Sequence, residues 1–187
     1  MSSLVELIRD FHILAAFWTT IQISLLGIAG AMVLGLVIAV LRASPITIFQ
    51  RFAAAIVSIC VNTPLTLVVF FCFFVMFLLL GVRLTPSGAR NSTEAFAWGV
   101  VAIAVYHSGF VAEAIRSGIN TVPVGQAEAA RAIGLTTGQS LREIILPQAL
   151  RGAIAPLGNT VIALTKNTTV LATIGVAEAS YQMNYML

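Results

Sequence analysis

Few side chains in this sequence can do chemistry, and their settings limit what that chemistry is. Lys166-Asn167-Thr168-Thr169 puts a cation and three polar side chains in succession inside an otherwise apolar stretch. A lysine at the centre of a membrane helix costs about 2.5–3.5 kcal/mol on insertion scales, so something must offset it. Two readings stand. The four polar residues could let a helix unwind beside a hydrated path, where Lys166, Asn167 or Thr168 would meet a solute carboxylate. Alternatively, Lys166 lies near an interface and its amine snorkels to headgroups.

Asn62-Thr63-Pro64 is a second polar interruption. Pro64 frees a backbone carbonyl one turn earlier, which Thr63 or Asn62 can satisfy. The triplet is either a kink held by neighbouring helices or part of a solute path. His107 has no acid within a helical turn and reads as a neutral, hydrogen-bonded packing residue, while Glu113 and Arg116 are spaced to pair along a helix. Cys60 and Cys72 share one apolar run, which fits neither metal-ligand spacing nor a disulfide framework. No nucleophile stands with a base, so enzyme chemistry is not expected. The sequence also lacks Gly-x-x-x-x-Gly-Lys-Ser/Thr, so any ATP chemistry belongs to a separate chain.

The elements that must position these residues are apolar. Of 187 residues, 59% are hydrophobic and 9% charged, against about a quarter charged in soluble domains. No charge occurs for 31 positions between Asp10 and Arg42, or for 31 between Arg51 and Arg83. About 20 apolar residues suffice to span a bilayer. We therefore expect an all-α, polytopic bundle of one domain, with spans near Leu14–Leu41, Ala53–Leu80, Ala95–Ser117 and Gly152–Leu171. The first run is too long for a cleavable signal.

Charge sets the orientation. Arg42, Arg51, Arg116, Arg131, Arg142 and Arg151 fall on one side, and Arg9, Arg83 and Arg90 on the other. The positive-inside rule then puts the loop at 118–151 in the cytoplasm and the N-terminus outside, with Trp18 and Trp98 near the outer interface. A net charge of +3 carried at span ends reads as topology, not as nucleic-acid binding.

The stretch Gly125–Arg151 is polar and helix-forming. The spacing predicts a helix over Gln126–Ile133, with Ala127, Ala130 and Ile133 on one face and Glu128 paired with Arg131. Gly134 should end it, Thr136 and Gln139 should form a capping box, and Pro147 should bend or break the helix that follows. So short a helix must pack against something, and Ala129 and Ala130 leave its surface low enough for close approach. With only Arg131 and Arg142 inside it and no aromatic residue, the stretch suits a protein groove better than a lipid surface.

Glu128-Ala129-Ala130, Gly134 and Ile144-Ile145-Leu146-Pro147 resemble the cytoplasmic EAA motif of ATP-binding-cassette importer permeases. Gly118-Ile119, Val122-Pro123, Gly125-Gln126 and Pro147-Gln148-Ala149 narrow the resemblance to the polar amino acid branch, over about Tyr106 to Glu178. Glutamate uptake systems are the best guess within it, partly through Asn62-Thr63-Pro64.

The resemblance implies the type I importer permease fold and import by alternating access. It implies a coupling helix, Gln126, Glu128, Ala129, Ala130 and Gly134, seated in a groove of a cytoplasmic ATPase dimer that carries ATP and Mg. Its other partners would be a second permease subunit, identical or not, and an extracytoplasmic amino acid binding protein, all at the bacterial cell membrane. Where that branch commonly shows Arg-Gly-Thr-Pro and Lys-Asp-Thr-Ser-Leu, this chain has Val61-Asn62-Thr63-Pro64 and Lys166-Asn167-Thr168-Thr169-Val170. The family also has one more C-terminal span, so this chain is expected to be partial. The competing function, an ion-gradient-driven secondary transporter or channel, would need intramembrane acids or paired broken helices.

Overall fold

The structure, a computed structural model, describes residues 12–185. Arg9, counted above in the charge balance, and Met186 and Leu187 at the end of the chain lie outside the described residues.

Helix α1, Ile13–Ala43, is uncharged until Arg42. At 1.5 Å per residue it is long enough to cross a bilayer. Gly27, Ala31 and Gly35 recur every four residues and form its buried stripe. They let it lie close against the long helix α4, Asn91–Asn120. The approach at Gly35 is tight enough to exclude any side chain, because a Cβ there would sit 2.5 Å from Val111 Cβ. The opposite face of α1, with Phe17, Leu25, Val33 and Val40, is exposed and suited to lipid.

The second apolar run, expected as a span at 53–80, is not one continuous helix. It forms α2, Thr47–Asn62, and α3, Leu65–Phe70, which widens into a π-helical stretch over Phe71–Leu79. The two arms meet at 107°. Pro64 disfavours the helical conformation in the residue before it, and Thr63 is extended at φ −100°, ψ 134°. The result is a break, sharper than the kink anticipated at this triplet.

Helix α4 is the centre of the bundle and packs against α1, α2 and the last long helix, α7, Leu146–Asn167. Between α4 and α7 lie α5, Val124–Ala132, α6, Thr137–Ser140, and a π-helical turn over Leu141–Ile145. Of the bend or break expected at Pro147, no break occurs. The proline occupies the first turn of α7 directly after the π turn, and backbone angles stay helical at Leu141, Ile145 and Leu146. The widened turn relieves the clash of the proline ring with the carbonyl one turn earlier. The last long helix therefore begins at Leu146, six residues ahead of the span expected from Gly152. Its α-helix ends at Asn167, gives way to a 3-10 stretch over Thr168–Ile174, and stops at Gly175 with φ 80°. A short helix α8, Ala179–Tyr185, follows.

Candidate functional site

The loop between α4 and α7 is preset by its own hydrogen bonds. Gly134 takes φ 84°, its N–H donates to Arg131 O at 3.0 Å, and Leu135 N–H donates to Ala130 O at 3.1 Å. This pair of bonds is a Schellman motif that ends α5. Thr136 N–H donates to Gln139 Oε1 at 2.9 Å, and Gln139 N–H donates to Thr136 Oγ1 at 3.3 Å, the capping box that starts α6. Helix α5 then folds back on the π turn at Leu141–Ile145.

The faces of α5 are not those the spacing suggested. Ala130 is 1% exposed and turned into the chain, whereas Ile133, expected beside it, is 75% exposed. Gln126, Glu128, Ala129 and Ala132 are also exposed. The outward surface is thus Gln126, Glu128, Ala129 and Ile133 with Gly134 at its end, and Ala130 is the packing residue beneath it. Glu128 does not pair with Arg131, since the ion pairs among the described residues are Arg42 with Glu113 and Arg142 with Glu143. The expected Glu113–Arg116 pair is likewise replaced, because Glu113 reaches across to the end of α1 instead of along its own helix.

This loop is tied to the bundle by backbone contact. A Cβ on Gly118 would lie 2.4 Å from Ala149 O, and a Cβ on Gly152 would lie 2.3 Å from Thr121 Oγ1. The end of α4 and the start of α7 thus cross in close contact where the loop leaves and rejoins the bundle.

A second site lies further along the same two helices. Tyr106, His107 and Phe110 of α4 and Asn159, Thr160, Ala163 and Asn167 of α7 line a groove of about 260 Å³. His107 is 2% exposed. Its Nδ1 is 3.0 Å from Ile103 O and its Nε2 is 3.2 Å from Asn167 Nδ2. A carbonyl has no proton to give, so Nδ1 carries the hydrogen, Nε2 accepts from the Asn167 amide, and the ring is neutral. The sequence showed a packing histidine but not its partner sixty residues on. The recurrence of Asn159, Ala163 and Asn167 at four-residue spacing was the available signal.

The other predicted site residues divide. Lys166 is exposed and has no ion-pair partner among the described residues. Thr168 is 1% exposed and donates to Thr165 O at 2.9 Å, so its hydroxyl serves its own helix. Asn62 Nδ2 donates to Ser58 O at 2.8 Å and to Ser58 Oγ at 3.2 Å, one turn back in α2; Thr63 is half-buried and Pro64 exposed. The break is near the groove, since Cys60 Sγ donates to Val105 O at 3.5 Å and α3 packs on the 3-10 stretch after Asn167.

The family described as "Binding-protein-dependent transport system inner membrane component" matches residues 31–186. The chain is 50% identical over 175 residues to the glutamate transport system permease protein GluC of Corynebacterium glutamicum, covering 91% of this chain and 76% of that one. It is 39% identical over 166 residues to the probable glutamine ABC transporter permease protein GlnM of Bacillus subtilis, covering 89% and 72%. A solved structure, described as that of an amino acid ABC transporter with histidines, superposes with a TM-score of 0.86 at 29% identity, covering 98% of this chain and 80% of that one.

Proposed function

The chain belongs to the binding-protein-dependent transport system inner membrane components and is the permease subunit of an amino acid importer, and from that premise we propose that it carries glutamate and is driven through α5. The observation that carries the coupling reading is the preset, outward surface of Gln126, Glu128, Ala129 and Gly134 on a loop locked to α4 and α7. Ala130 supports that surface from behind. A cytoplasmic ATPase dimer, holding ATP and Mg, receives it, and closure of that dimer draws α5 toward a second permease subunit and rocks α4 against α1 and α7. An extracytoplasmic binding protein delivers the amino acid, the 118–151 loop faces the cytoplasm and the N-terminus faces outward.

The cargo reading is supported by the 50% identity to a permease named for glutamate transport. The solute path runs past the break at Asn62, Thr63 and Pro64 and along the exposed edge of α7 at Lys166 and Asn167, where a lysine without an ion-pair partner among the described residues offers charge to a carboxylate. The decisive experiment reconstitutes the chain with its ATPase and binding protein and compares wild type with Glu128→Arg. Loss of amino-acid-stimulated ATP hydrolysis is expected; unchanged stimulation rejects α5 as the coupling element. Glutamate uptake that glutamine outcompetes at equal concentration rejects the cargo.

A further inference from the structure

At the end of the bundle nearest the coupling loop, α1, α2 and α4 leave between them a groove of about 510 Å³. Its walls carry Arg42, Arg51 and Arg116, and its floor is small and apolar, with Ala39, Ala54 and Ala112. One carboxylate, Glu113, accepts from Arg42. Arg51 and Arg116 have neither an ion pair nor a side-chain hydrogen bond among the described residues. Cations gathered around a low-dielectric concavity repel one another unless an anion joins them, and guanidinium forks match the oxygens of a phosphate group better than a point charge does.

The surroundings choose between sources of that phosphate. The stretch of α2 that brings Arg51 to the groove also exposes Ile48 at 75% and Phe52 at 59%. A free phosphate gains nothing from such surface, whereas a lipid places its headgroup among the arginines and its acyl chains along α2. Basic pockets between membrane helices on the cytoplasmic side hold anionic headgroups by this combination. We propose that this groove binds the phosphate headgroup of an anionic phospholipid. The lining continues to Ile119 and Asn120, the last residues of α4 before α5, so a bound headgroup steadies the turn from which the coupling helix departs.

The test uses the permease assembled with its ATPase, stripped of lipid in neutral detergent and titrated with phosphatidylglycerol or phosphatidylcholine. Native mass spectrometry counts the lipid retained. Wild type is expected to keep phosphatidylglycerol in preference to phosphatidylcholine. Arg51→Gln/Arg116→Gln should retain about thirtyfold less of it, the scale for removing two interfacial cations. Equal retention by wild type and variant, no preference between the lipids, or displacement of phosphatidylglycerol by equimolar inorganic phosphate overturns the proposal. Should the double variant not assemble, a photoreactive phosphatidylglycerol on wild type decides: labelling within 39–54 and 112–120 is expected, and labelling confined elsewhere overturns it. Lipid retention needs neither ATP nor amino acid, so its failure is distinct from failure of the coupling or cargo readings.

Discussion

Asn167 Nδ2 lies 3.2 Å from His107 Nε2, joining the last long helix to the central one at the point where regular α-helix ends. The bond fixes the imidazole tautomer and holds α7 against α4 beside the groove.

Asn167→Leu should keep the branched shape and remove the donor, leaving a buried ring nitrogen unpaired at about 1–3 kcal/mol. The expected outcome is a lower melting temperature of the purified permease. A melting temperature equal to wild type would show that the contact holds nothing.

Ala129 and Ala130 are adjacent and should respond oppositely, since one is exposed and the other 1% exposed. Ala129→Leu should leave the fold intact and weaken co-purification of the ATPase. Ala130→Leu overfills the contact under α5, which costs about 1–3 kcal/mol. Equal melting temperatures for the two variants would contradict the observed face of α5.

Gly118→Ala adds a methyl where Ala149 O stands 2.4 Å away, and a backbone carbonyl cannot swing aside. Destabilisation at the upper end of the roughly 1–3 kcal/mol overpacking range is expected, with transport lost before ATPase binding. Normal uptake by this variant would mean that α4 and α7 do not bear on each other at this crossing.

Arg42 and Glu113 bind the end of α1 to α4. As a half-exposed pair they contribute about 1 kcal/mol or less to stability, so the effect sought is on coupling. Glu113→Arg should reduce amino-acid-stimulated ATP hydrolysis, and Arg42→Glu added to it should restore part of the rate. A double variant no better than the single one would rule out a direct pair.

The long helices α1 and α4 were legible because each is an apolar run with its charges near its ends, and the caps around Gly134 and Thr136 because local hydrogen bonding depends on neighbours in sequence. Composition alone thus determined a helical membrane bundle, and residue order determined the preset loop between its last two long helices. Other features depend on which helices meet. Glu113 had a partner at helical spacing in Arg116 but takes Arg42, because packing of α1 on α4 brings that cation closer. Ile133 shares a helical period with Ala130, yet the fold of α5 onto the π turn after Ser140 turns it outward. Pro147 reads as a breaker until the π turn before it is seen to absorb its ring. The His107–Asn167 bond and the arginine groove join residues far apart in the chain. Only the tertiary structure decides them, because a periodic face in sequence does not say which helix it will meet.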